Sequence, residues 1–262
     1  MFSNKNSISI KNHEYWIDRA SGYSEVNREE LDGDQRKRWS KLLDEEIMEH
    51  FGISPDDRRN IRILDIGAGP GFISIILAEL GYSVTAADFA RTMLKEAKKN
   101  AGELADRIEF RTENAMELGF ADDSFDVVFS RNLTWNLPDP QKAYGEWMRV
   151  LKNGGMMLVF DANWYAYLRD EDKKAQYEQD RVNVKEKGFG DYNIGDNFDV
   201  MEHIAEKLPL TGIDRPAWDV DYFRKNRVKS VTSIEDIGSR VYTEKELVNY
   251  ASTPMFMVKV VL

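Results

Sequence analysis

The sequence predicts an α/β fold with a mainly parallel sheet, and three observations lead to it. From residue 61 to residue 163, short β-rich runs alternate with helix-length segments. The first run, IRILDIG, breaks on a cluster of three glycines, Gly67, Gly69 and Gly71. Further glycines punctuate the later helical segments, at Gly81 and at Gly154–Gly155. Strands separated by helices of this length join as parallel neighbours, because a parallel pair needs a crossover that a hairpin cannot supply.

Taken in order, residues 1–60 read as a helical cap. Trp39, Leu42, Leu43, Ile47 and Phe51 recur at helical spacing, and Gly52 and Pro55 end that helix. IRILDIG is the first strand, FISIILAELGY a helix stopping near Gly81, SVTAADF the second strand. ARTMLKEAKKNAGEL is helical, RIEFRTENA the third strand and FDVVFSRN the fourth. DPQKAYGEWMRVLKNGG reads as a helix with Ala143, Trp147, Val150 and Leu151 on one face and a glycine stop, and MMLVFDAN as the fifth strand. The rhythm then breaks. Residues 164–215 are polar, aromatic and mostly helical, and read as a lid inserted after strand five; Gly188, Gly190, Gly195 and Gly212 give it freedom to move. A helix near 219–226, a strand in RVKSVTSI and the apolar run PMFMVKVVL complete what reads as one domain over 1–262.

Composition removes several function classes. The 262 residues carry a formal charge of −10, which argues against a nucleic-acid partner. With no cysteine, disulfides, thiolate metal sites and cysteine nucleophiles are excluded, and His13, His50 and His203 form no ligand pair at helical spacing, so no metal is expected. No apolar stretch has the length of a membrane span, and the polar start MFSNKNSISIKNHEYW lacks a signal-peptide core, so the expected location is cytoplasmic.

The glycine loop lies where ligands bind in open α/β sheets, at the carboxyl end of a strand. A dinucleotide loop reads G-x-G-x-x-G, whereas this one reads G-x-G-x-G with Pro70 inside it. Asp65 beside it disfavours a pyrophosphate and suits a cation. Asp88, 23 positions later at the end of strand two, is placed to accept hydrogen bonds from a ribose. S-adenosylmethionine meets these demands together: a ribose for Asp88, an ammonium and a sulfonium for an acidic surround, a carboxylate for backbone amides.

LDIGAGPG, AADFA, ENAMEL, FDVVFSRN and RVLKNGG, in that order, resemble the successive motifs of class I S-adenosylmethionine-dependent methyltransferases, in particular the small-molecule type that includes the ubiquinone and menaquinone methyltransferases. The resemblance spans residues 12–163 and resumes weakly at the C-terminus. It implies a Rossmann-like, seven-stranded sheet whose last strand, PMFMVKVVL, is antiparallel. It also implies that Asp65, Gly67, Ala68, Gly69 and Gly71 surround the methionine part of the cofactor, that Asp88 holds the ribose and Phe89 and Met93 flank the nucleoside. Asn114, Ala115 and Met116 then meet the adenine, and Arg131 and Asn132 the methyl-donor end. The family usually has an acid where Asn114 stands. YWIDRASGY resembles the segment that closes over the cofactor, which brings in Tyr15 and Tyr23.

For the acceptor, an expected small molecule, the candidates are Trp135, Asn163, Trp164, Tyr167 and Arg215. Trp135 is equally readable as packing under the sheet rim, Asp161 and Asn163 as a helix cap, and Arg215 as the partner of a nearby acid. No residue announces itself as a general base; Tyr23 and His203 are candidates. The expected activity is methyl transfer from S-adenosylmethionine, leaving S-adenosylhomocysteine. The alternatives are a non-catalytic S-adenosylmethionine-binding sensor or partner subunit and, less compatible with Asp65 and the loop spacing, a nucleotide-dependent oxidoreductase. Oligomeric state is left open.

Overall fold

The computed structural model describes residues 2–194 and 198–262, with side chains from residue 9 onward. Gly195 of the expected lid lies outside these. The chain starts with two helices, α1 (Phe2–Asp32) and α2 (Asp34–Phe51), followed by a 3-10 turn at Pro55–Asn60. α2 buries Trp39, Leu42, Leu43 and Ile47 and ends on Gly52 in the left-handed conformation. Alternation follows: β1 (Arg62–Ile66), α3 (Phe72–Leu80), β2 (Ser83–Asp88), α4 (Arg91–Ala101), β3 (Ile108–Thr112), β4 (Phe125–Arg131), α5 (Pro140–Val150) and β5 (Leu151–Asp161). Beyond β5 come α6 (Glu171–Glu186), α7 (Phe198–Ala205), α8 (Ala217–Arg224), β6 (Ser230–Ile234), α9 (Gly238–Val241), α10 (Glu244–Asn249) and β7 (Phe256–Val261).

The strands form one seven-stranded sheet in the order β3-β2-β1-β4-β5-β7-β6. β1 to β5 pair in parallel, and β7 runs antiparallel to both β5 and β6. The central strands are buried on both faces, as a covered parallel sheet requires, with a core on each side. Tyr144 and Trp147 of α5 are fully buried on one face; Trp39, Phe72 and Phe160 pack edge to face on the other.

One boundary departs from expectation. LKNGG does not extend α5. The helix stops at Val150, and Leu151 already pairs with Phe125, whereas the next register pair is Val127 with Met156. The extra residues form an irregularity in β5. A Cβ at Gly155 would lie 2.7 Å from the Lys152 carbonyl oxygen and 2.9 Å from that of Asp126, so the glycine serves backbone packing in a strand, not a helix stop. Among the described residues no helix is long and apolar enough to cross a membrane.

Candidate active site

The carboxyl ends of β1, β2 and β4 and one face of α1 enclose a cavity of about 370 Å³. Its floor begins at the glycine loop. Gly67, Gly69 and Gly71 all have positive φ, a region that costs an L side chain energy. Each also meets a different neighbour. A Cβ on Gly67 would lie 2.7 Å from Leu133, one on Gly71 3.0 Å from the Ala97 Cβ, and one on Gly69 3.5 Å from the Tyr23 ring. Gly71 is thus a packing glycine at the start of α3. Gly67 and Gly69 line the cavity.

Asp88 closes β2 with both carboxylate oxygens engaged. One accepts from the Gly69 N–H at 2.9 Å, the other from the Ala90 N–H at 2.8 Å. The carboxylate therefore sets the loop's position at the cavity wall. Burial pushes its pKa up to about 6, against the pull of those backbone N–H groups. Asp65 is placed differently from what its neighbourhood in sequence suggests. It lies beneath the loop, 2 % exposed, off the cavity wall, and accepts from the Ser74 hydroxyl at 2.5 Å. Burial pushes it up to about 7.

The remaining walls come from three directions. Phe89, Met93, Asn114, Ala115 and Met116 line the cavity from β2, α4 and the segment after β3. The Asn114 side-chain carbonyl accepts from the Met116 N–H at 3.0 Å. Arg131 and Asn132 enter from the end of β4, Asn132 with φ of 56°. The Arg131 guanidinium donates to Glu30 of α1 at 2.5 Å and lies 4.9 Å from the ring centroids of both Trp39 and Phe72. From α1, Asn12, His13, Trp16 and Tyr23 face inward. Burial raises the Tyr23 hydroxyl above its usual pKa, opposed by Arg131.

Ala68, Gly71 and Tyr15 are absent from this wall. Tyr15 points to the opposite side of α1, into a second groove that it shares with His203 of α7. His203 is exposed, with Nε2 2.6 Å from the Lys207 ammonium, and stands apart from Gly67 and Asp88. The acceptor candidates also lie elsewhere. Trp135, Asn163, Trp164 and Arg215 line a cleft of only about 10 Å³. Trp164 packs against Tyr250 and the main core, and Tyr167 stacks on Tyr177 and donates to Glu202 at 2.7 Å. Arg215 is no open clamp. Its guanidinium is saturated by Asp161 (2.6 Å) and by a two-pronged contact with Asp219 (2.9 and 2.8 Å), all fully buried. Nor does Asp161 cap a helix: it accepts from the Trp135 and Ala162 N–H groups.

Sequence reasoning missed Asn12, His13, Trp16, Leu133 and Asn136 on the wall. The first three had a signal: 12, 13, 16 and 23 share one helical face. Asn12 Oδ1, Trp16 Nε1, Asn132 Oδ1 and Asn136 Oδ1 are buried polar atoms without a partner among the described residues, an unusual density around one cavity.

Residues 64–159 match the methyltransferase domain family. Among curated relatives, the demethylmenaquinone methyltransferase of Clavibacter sepedonicus is 43% identical over 99 residues, covering 37% of this chain and 40% of that protein. The enzyme of the same name from Renibacterium salmoninarum is 35% identical over 135 residues, 52% of each chain. The ubiquinone biosynthesis O-methyltransferase of Parvibaculum lavamentivorans is 31% identical over 117 residues, 44% of this chain and 46% of that one. The chain thus spans about half the length, or less, of these relatives. The fold recurs in a candidate S-adenosyl-L-methionine-dependent methyltransferase from Methanococcus maripaludis, with TM-score 0.55, 20% identity and 91% coverage of both chains. It recurs again in the complex of the Haloferax volcanii Trm112 methyltransferase activator with a candidate methyltransferase, with TM-score 0.57, 19% identity, and 94% and 96% coverage. Motif order, strand order and domain match agree: residues 64–159 match a methyltransferase domain, and the sheet that carries them has the fold of class I S-adenosylmethionine-dependent methyltransferases.

Proposed function

We propose that this protein transfers a methyl group from S-adenosylmethionine to a small-molecule acceptor of the quinone-precursor type. The observation that carries the first half is one cavity at the strand ends, lined together by Gly67, Gly69, Asp88, Asn114, Arg131 and Tyr23. The residues fit the cofactor. Asp88 offers its carboxylate to vicinal hydroxyls, Asn114 an amide to a base edge, and the four buried polar atoms of Asn12, Trp16, Asn132 and Asn136 that have no partner among the described residues belong to cavity-lining side chains. The acceptor class is carried by the names of the relatives, which act on demethylmenaquinone or in ubiquinone biosynthesis.

Bound S-adenosylmethionine would supply an activated methyl on its sulfonium, so transfer is an in-line displacement with no need of a metal-activated nucleophile. The chain's part is alignment and exclusion of water. Asp88 fixes the ribose end against the Gly69 turn. Arg131, held by Glu30, and Tyr23 bound the methyl-donor end. Trp16 and Tyr23 of α1 keep solvent out. The segment 164–215 roofs the far side of α1, as a lid. Tyr23 is the candidate to hold or take an acceptor proton, since it alone of the two proposed bases is on the wall. Calorimetric titration with S-adenosylhomocysteine and with NADH tests the cofactor half: binding of NADH alone would overturn it. Turnover with reduced demethylquinones and with catechols tests the acceptor half. Tight S-adenosylhomocysteine binding without turnover on any acceptor would favour the sensor reading.

A further inference from the structure

We infer that Asp161 is a positioning residue that fixes the cavity rim at 132–138, with Arg215 as its anchor. The ligand arm of the test below rests on the cofactor reading; the exchange arm does not.

The buried network at the end of β5 holds two carboxylates, Asp161 and Asp219, and one guanidinium, Arg215. Asp219 takes Arg215 through two hydrogen bonds and also accepts from the Tyr144 hydroxyl. That pair is balanced in charge without Asp161. A second, surplus carboxylate with no exposed surface is costly unless N–H donors are aimed at it. Three are. Oδ2 accepts from Arg215 at 2.6 Å and from the Trp135 N–H at 2.9 Å, and Oδ1 accepts from the Ala162 N–H at 3.0 Å.

Trp135 is the middle residue of the 3-10 turn Thr134–Asn136, between the cavity-lining residues Leu133 and Asn136. Its indole N–H donates to the Asn132 carbonyl at 3.0 Å, and the Asn136 N–H donates to the Leu133 carbonyl at 3.0 Å, so the turn is held as a unit. The Asn136 carbonyl in turn accepts from the Asn12 side chain of α1 at 3.0 Å. Anchoring the Trp135 N–H therefore fixes where the rim meets both cavity and helix. The anchor lies at the root of the 164–215 segment, since Arg215 closes that segment and its carbonyl accepts from Asn163 at 2.8 Å.

The test compares two isosteric changes. Asp161→Asn keeps shape but has only one acceptor oxygen, so its amide N–H₂ must face either Trp135 and Arg215 or Ala162, all donors. It leaves the balanced Arg215–Asp219 pair intact. Asp219→Asn removes a carboxylate of equal burial that touches no rim residue. In ligand-free protein, Asp161→Asn should speed hydrogen exchange of amides in 132–138 by roughly tenfold, and should weaken S-adenosylhomocysteine binding by roughly tenfold, the scale of one lost charge-assisted hydrogen bond. Asp219→Asn should leave both near wild type, whatever it does to the melting temperature. Should Asp161→Asn not fold, Asp161→Ser, in which a water can replace the lost oxygen, enters the same comparison. Equal effects of the two changes on rim exchange, or an unchanged rim in the Asp161 variant, would overturn the inference and leave the network as plain scaffold. Failure of the wild type to bind S-adenosylhomocysteine would instead strike the cofactor reading, with the exchange comparison still deciding the role of Asp161.

Discussion

In the proposed cofactor site one carboxylate, Asp88, has two roles, and Asp88→Ala removes both: the proposed ribose acceptor and the anchor of the Gly69 and Ala90 N–H groups. Affinity for S-adenosylhomocysteine should fall by about 1–3 kcal/mol in a protein that still folds, as titration would show. Gly69→Val should abolish binding: φ at this position is 53°, and the side chain would grow toward Tyr23 across the cavity. Asp65 gives a pH signature. Its folded pKa, about 7, lies above the unfolded carboxylate value, so the folded state binds the proton more tightly. The stability this confers is present below pH 4 and lost as pH rises through 7. Asp65→Asn, which keeps an acceptor for Ser74 without the charge, should be more stable than wild type at pH 8 by a few kcal/mol, on the order of one kcal/mol per shifted pH unit. The gap should narrow as pH falls below 7 and close near pH 4 in denaturant titrations. At this scale the sequence was half legible. Gly67, Gly69 and Asp88 stand where motif order puts them, because strand ends are readable from apolar runs. Which face of β1 Asp65 takes, and which acids Arg215 finds, are set by contacts across the fold. Ser74 lies on α3, and Asp219 and Asp161 stand on either side of the 164–215 segment.

Helix α1 is a wall between two spaces. Residues 9, 12, 13, 16 and 23 face the cavity and 11, 14, 15, 18 and 22 the outer groove, so neither side carries the apolar stripe of an ordinary packed helix. That is why Tyr15 and Tyr23, both in the YWIDRASGY segment, separate in space. α1 is tied down by the buried Glu30–Arg131 pair. Glu30→Leu should cost about 3–5 kcal/mol in denaturant unfolding, because it strands a buried guanidinium, and Glu30→Leu with Arg131→Met should recover much of that loss. With α1 and the 164–215 segment both bordering these spaces, S-adenosylhomocysteine should slow amide exchange in 12–23 and in 164–170. Exchange in either that ignores the ligand would separate it from the site. Trp164 and Tyr167 read as acceptor contacts because aromatics cluster after β5. Their rings pack on Tyr250 and Tyr177 instead, so Trp164→Ala should lower the melting temperature without a selective effect on the acceptor. Periodicity shows that a residue is buried, not which neighbour buries it. The misplaced end of α5 has the same root: KNGG looks like a stop until β4 is there to pair with Leu151.

For the whole molecule, the strand number and the antiparallel last strand were legible only through resemblance, and no local pattern states that β7 lies between β5 and β6. That insertion has a consequence for how the protein is made. β3, β2, β1, β4 and β5 are joined by short crossovers and occupy residues 62–161, whereas β5 meets its outer neighbour only at Phe256–Val261. During synthesis the five-stranded half can assemble while roughly a hundred residues are still to come, a delay of several seconds at ordinary elongation rates. Throughout that interval the apolar edge of β5, Met156 to Phe160, waits unpaired, and β6 emerges with nothing beside it to join. The nascent chain is therefore most vulnerable just before β7 emerges. Ribosome-stalled chains lacking 256–262 should engage chaperones and resist native-like protease protection, and release of the last strand should act as the latch that ends both conditions at once.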